Sequence, residues 1–132
     1  MRKSGILNQR ILSATGSLGH TDGIVVCDAG LPIPLGVERI DLAVVRGVPR
    51  FLEVLEPLMA EIVVEKIILA EEMATASPEL YASVRKLAGS IAIEQVSHEE
   101  FKRLTHAAKA IVRTGEFTPY ANVILQSGVD FS

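Results

Sequence analysis

A few side chains in this 132-residue chain have the types and spacing needed to move protons and recognise hydroxyl groups. His20 follows Gly19 in LGHTD, at the expected end of a helix, where free carbonyls favour a cationic ring. It is therefore a candidate proton donor, or simply a cap for that helix. Asp28 stands where the apolar run IVVCD ends and the chain turns at Ala29-Gly30. Open α/β sheets bind ligands at the carboxyl ends of their strands, although aspartate before such a turn is also ordinary turn chemistry.

His98 lies in Ser97-His98-Glu99-Glu100, an S-x-x-E box that opens a helix, so its ring meets the opposite kind of helix end. Two imidazoles in opposed surroundings are what an acid and base pair requires, though unrelated surface histidines would look the same. Lys102 is one turn beyond His98 on the same face and could join a polar pocket or remain solvated. His106 has no comparable context and reads as a surface residue. Near the end, Tyr120, Asn122, Ile124 and Gln126 alternate with Ala121, Val123 and Leu125, which gives a strand one face able to form hydrogen bonds. Arg113 and Glu116 flank a glycine turn and could pair with each other.

The missing patterns narrow the chemistry. The chain has no G-x-G-x-x-G, no G-x-x-x-x-G-K-[ST], no H-E-x-x-H and no cysteine cluster, so the expectation is a reaction without organic cofactor or metal. A formal charge of −3, a pI near 5.6 and scattered basic residues argue against nucleic acid as a partner. The start, MRKSGILNQR, has too short an apolar run for a signal peptide, and nothing approaches a membrane span. The single cysteine, Cys27, cannot form an intrachain disulfide and reads as buried filling, in agreement with the cytoplasm.

The elements that must position these groups alternate between helix and strand. Asn8 caps a helix carrying Ile11, Leu12 and Leu18 with Gly19 as terminator, and IVVCD at 24–28 follows as a buried strand. LPIPLGV cannot be regular because of its two prolines. IDLAVV at 40–45 reads as a strand, Phe51, Leu55, Leu58 and Met59 as a helix face, and IVVEKIILA as a strand. Ser77-Pro78 starts a helix that Gly89 stops; IAIEQV, AIVRT and ANVIL supply further strands, with the Ser97 helix between the first two. The order predicts a single-domain α/β, three-layer sandwich over 1–132 with a mixed, mainly parallel sheet. Hydrophobic residues at 48% and a mean hydropathy of +0.34 are high for a small solitary domain and suggest self-association.

Five separated stretches, GILN at 5–8, GHTD at 19–22, DAGLPIP at 28–34, SHEEFK at 97–102 and RTGEFTPYAN at 113–122, resemble the ribose pyranase and L-fucose mutarotase family. The likeness runs from near residue 4 to about 129, is weaker over 44–95, and favours the ribose branch through the LPIP loop and the C-terminal motif. It implies interconversion of the pyranose and furanose forms of D-ribose, without metal or cofactor, in a ring-shaped homo-oligomer, usually a decamer. By the same resemblance His20 is the proton donor, and Asp28, His98, Tyr120 and Asn122 bind sugar, with Lys102 a weaker member. The segment bearing Tyr120 and Asn122 is expected to reach a neighbouring subunit's site, so that both imidazoles and the carboxylate converge on a pocket finished by the adjoining copy. Two other readings stay open: anomer inversion of L-fucose, and a non-catalytic ribose-binding accessory of a sugar transporter.

Overall fold

The computed structural model describes residues 1–131. Helix α1 spans Gln9–Gly16, and Asn8 caps it by accepting from the Ile11 N–H at 2.9 Å. The helix stops earlier than the glycine signal suggested. Ser17 closes it, its hydroxyl donating to the Ala14 carbonyl at 2.7 Å, so Leu18 and Gly19 lie in the following loop. Strand β1 is Gly23–Cys27, β2 Glu38–Asp41, β3 Val64–Ala70, β4 Ala92–Val96, β5 Ala110–Arg113 and β6 Val123–Ser127. Helix α2 is Phe51–Glu61, α3 Glu72–Ala76, α4 Pro78–Ala88 and α5 His98–Leu104.

The six strands form one sheet in the order β2-β5-β1-β6-β3-β4. The β2–β5, β5–β1 and β3–β4 pairs are parallel, while β6 runs antiparallel to both neighbours. The sheet is thus mixed and mainly parallel, as expected. Alternate side chains of each strand feed two cores. Ile24, Val26, Ile67, Leu69, Val112, Val123 and Leu125 pack under α1, α2 and α4 through Ile11, Phe51, Leu55, Leu58 and Val84. On the other face Val25, Cys27, Ile68, Ile111 and Ile124 are covered by Phe101 of α5 and by Leu31 and Ile33 of the proline loop. Three layers result. No helix among the described residues is long and apolar enough to cross a membrane.

Some local expectations changed. The strand expected over 40–45 ends at Asp41, because the next residues fold back through a Val45–Val48 bridge onto the loop after β5. Gly115 makes that contact possible: a Cβ there would lie 2.6 Å from both the Val45 and Val48 carbonyl oxygens. Ser77 does not cap α4; its hydroxyl donates to the Pro119 carbonyl at 2.6 Å, tying the helix start to the segment before Tyr120. The strand expected from Ala121 begins only at Val123, since residues 119–120 form a turn with Tyr120 at φ 60°.

Candidate functional site

At the carboxyl edge of the parallel strands, β1 and β5 end beside the beginning of β6, and α5 starts just after β4. A cavity of about 500 Å³ opens there, lined by Asp28, His98, Arg113, Tyr120 and Asn122 among others, a volume in the range of ordinary small-molecule sites. Four of the side chains anticipated from sequence therefore share one wall.

Asp28 and Asn122 hold each other reciprocally. The Asn122 Oδ1 accepts from the Asp28 N–H at 2.9 Å and its Nδ2 donates to Asp28 Oδ2 at 3.3 Å. Asp28 Oδ1 accepts from the Gly30 and Leu31 N–H groups at 3.0 and 2.8 Å, which is the turn role of such an aspartate. Oδ1 is thus occupied by the backbone, leaving Oδ2 as the more available oxygen. Burial outweighs the hydrogen bonds and raises the Asp28 carboxyl above its ordinary range.

His98 is the first residue of α5, whose Ser97 hydroxyl caps the Glu100 N–H at 3.1 Å. The capping box is half made. Glu100 turns away to pair with Arg103, and Glu72 reaches over instead to accept the His98 N–H at 3.0 Å. The His98 ring meets Tyr120 edge-on at 5.0 Å between centroids and stacks 6.4 Å from Phe101, with its Nδ1 buried and without a hydrogen-bond partner among the described residues.

Arg113 and Glu116 do not pair with each other. Arg113 binds Asp41 at 3.1 Å and the Ala29 carbonyl at 3.1 Å, whereas the buried Glu116 accepts from the Phe51 N–H and from the Thr118 hydroxyl at 2.8 Å. Burial alone would raise the Glu116 carboxyl, but these hydrogen bonds and Arg50 hold it below its ordinary value. The cavity wall thus contains two carboxylates pushed in opposite directions.

Three expectations need correction. His20 does not approach the cavity of its own chain: it precedes β1, whereas Asp28 follows it, so five strand residues, about 16 Å, lie between their ends. Because α1 ends at Gly16, His20 does not directly follow a helix end either; its Nε2 lies 3.0 Å from Glu65 Oε2. The expected division of labour is reversed as well. Tyr120 and Asn122 line their own chain's cavity, and His20 is the distant residue. Lys102 pairs with Glu99 at 2.8 Å and is not among the lining residues. His106 is exposed, as read, and Cys27 is fully buried, its thiol pushed up to about 12 by desolvation.

Glu65 was not singled out from sequence. It occurs in IVVEKIILA as an ordinary outward-facing strand residue, and only the sheet's register brings it to His20 and to Gln126 of β6, whose Nε2 donates to Glu65 Oε1 at 2.6 Å. Glu72 escaped notice, and Ser77 was read only as a helix start, for the same reason, since their partners are 26 and 42 residues away in sequence.

Known proteins share this architecture over its whole length. The chain is 54% identical over 132 residues to a D-ribose pyranase of Geobacillus thermodenitrificans, covering all of both chains. It is 53% identical to one of Coprothermobacter proteolyticus over 99% of this chain and 100% of the relative. Bacillus subtilis RbsD, solved in complex with D-ribose, superposes with a TM-score of 0.96 at 50% identity over 99% and 100% of the two chains. The fucose mutarotase of Streptococcus pneumoniae, solved with L-fucose, has a TM-score of 0.80 at 26% identity over 94% of each. The family described as the RbsD / FucU transport protein family matches residues 1–130, and to that family this chain belongs.

Proposed function

We propose that this protein is an isomerase that interconverts the pyranose and furanose forms of D-ribose by acid and base chemistry. The observation that carries the reading is the cavity bearing Asp28, His98, Tyr120 and Asn122 in a chain that superposes over its full length on a ribose-bound relative. The ribose branch is favoured over L-fucose by the difference between 50% and 26% identity to the two sugar-bound relatives.

The reaction starts with protonation of the ring oxygen. The bond from that oxygen to the anomeric carbon breaks, the anomeric hydroxyl gives up its proton, and an open aldehyde results. Attack by the other hydroxyl then closes the alternative ring, with both proton transfers reversed. Asp28 is suited to receive the anomeric proton, because desolvation makes its carboxylate a better base than an exposed one. Tyr120, Asn122 and His98 supply groups for the remaining hydroxyls, and the proton donor is His20.

That donor has to come from a second copy, since the His20 of the same chain lies at the other end of β1. Both ends carry exposed apolar side chains: Leu35, Val44, Val45 and Phe117 flank the cavity end, and Val63 and Val129 lie near Glu65. A contact joining unlike ends is heterologous and closes into rings when the rotation permits. A ring of ten copies in the cytoplasm is the assembly and setting that the resemblance implies. Saturation transfer between the pyranose and furanose signals of D-ribose tests the reading. Wild-type protein should accelerate exchange, and His20→Ala should lose about 10² to 10⁴ of that acceleration. Exchange at the buffer rate with wild-type protein, despite ribose binding, would instead indicate a non-catalytic binding protein.

A further inference from the structure

Three observations converge on the loop that carries His20. First, Glu65 uses both carboxylate oxygens: Oε1 accepts from the Gln126 amide at 2.6 Å, and Oε2 lies 3.0 Å from His20 Nε2. Second, the loop is pinned. The Gly19 N–H donates to Asp22 Oδ2 at 2.8 Å, and the Thr21 N–H donates to the Ser127 carbonyl at 2.9 Å, which holds Thr21 at φ 70°. A β-branched residue in that conformation is strained, and such strain persists where surrounding contacts dictate a required geometry. Third, the nearby Lys66 is engaged elsewhere, its ammonium 2.9 Å from Glu94, so it does not take the carboxylate from the imidazole.

We propose that Glu65 is a positioning residue for the sugar-ring reaction, anchored by Gln126, and that it fixes the His20 ring so that Nδ1 is the nitrogen that exchanges a proton with the sugar. The inference rests on the reading of His20 as proton donor. Hydrogen bonds from Gln126 and His20 keep the Glu65 carboxyl below its ordinary range, so it stays an acceptor and Nε2 keeps its hydrogen. In the donating step the Nδ1–H bond breaks and an O–H bond forms on the ring oxygen, leaving a neutral imidazole with Nε2–H still directed at Glu65. Ring closure returns the proton to Nδ1. The carboxylate never changes protonation state; it orients the ring and balances the charge of the imidazolium, the role that buried carboxylates play for working histidines, here performed by an exposed one.

A double-mutant cycle tests this, with exchange of D-ribose ring forms read by saturation transfer at saturating and subsaturating sugar, beside the native mass of each variant. Glu65→Gln should lower exchange at saturation on the order of tenfold, with the half-saturating ribose concentration unchanged, and Glu65→Asp should recover part of the loss. His20→Ala combined with Glu65→Gln should be no slower than His20→Ala alone. Multiplying losses, or full activity in Glu65→Gln, would overturn the positioning role while leaving His20 as donor. A Glu65→Gln protein that loses activity because its assembly falls apart would assign Glu65 to the contact between copies and overturn the role as well. Full activity in His20→Ala would remove the underlying reading and this inference with it.

Discussion

The two ends of strand β1 differ in almost every physical respect. At its carboxyl end Asp28 is recessed, locked to Asn122 and two backbone N–H groups, and raised by desolvation. At its amino end His20 and Glu65 form an exposed pair, with 53% and 35% of their side-chain surface accessible. One end carries the cavity lined by Asp28, His98, Tyr120 and Asn122; the other carries an imidazole held against a carboxylate, outside that lining. Among the described residues, the two non-glycine positions with positive φ are divided between them, Thr21 beside His20 and Tyr120 in the cavity wall. Strain of about 1–3 kcal/mol at each is what a function at both ends would retain. On the function proposed above, each chain carries two halves of a site that its own strand holds apart.

The largest expected effect tests that separation directly. His20→Ala and Asp28→Asn should each be nearly inactive as pure proteins, the asparagine keeping an Oδ1 acceptor for the Gly30 and Leu31 N–H groups. Dissociated, mixed in equal amounts and reassembled, they should regain about one quarter of wild-type exchange, the share of sites pairing an intact cavity with an intact imidazole in a head-to-tail assembly. No recovery in properly reassembled mixtures would place both halves in one chain.

A middle-sized effect separates the carboxylates of the cavity end. Glu116→Ala should cost about 1–3 kcal/mol in denaturant unfolding, because the Phe51 N–H and the Thr118 hydroxyl lose their acceptor. Since its folded-state value is lowered, the stability contributed by Glu116 is complete above its ordinary value of about 4.5 and is lost as pH falls through the lowered one. Glu116→Gln should therefore flatten the acid limb of a stability profile below that pH. Asp28 has the opposite sign: its raised value makes ionisation a cost that folding bears above that range. The smallest effect belongs to Lys102→Ala. Its ion pair with Glu99 sits outside the cavity lining, so exchange should stay within about twofold and stability within about 0.5 kcal/mol.

The sheet and its layers could be read from the alternation of helical and extended patterns, because local periodicity records which side of an element meets a core. The placement of Asp28 and His98 at the cavity edge was also legible, as each sits at a strand end or helix start marked by neighbouring residues: Ala29-Gly30 for one and Ser97 for the other. Where the chain meets itself at long range, reading failed. Ser77 looked like a cap but bonds to Pro119, Glu100 looked like half of a box but turns to Arg103, and Glu65 looked like any solvated strand residue. Tyr120 and His20 exchanged their expected places because chain order gives no sign of which edge of a sheet a loop will occupy. That is decided by strand direction, and the reversal of β6 is what starts Asn122 at the cavity and ends Gln126 beside Glu65.

The reversed strand has a mechanical consequence. Five residues, Val123 to Ser127, span the sheet from the neighbour of Asp28 to the neighbour of Glu65, hydrogen-bonded on both sides, so they behave as a ruler that cannot stretch. Any array of copies that shares sites inherits this ruler as its repeat. An insertion or deletion in the strand would then disturb the spacing of every copy together, so such an assembly should tolerate length changes in its loops far better than in this one segment.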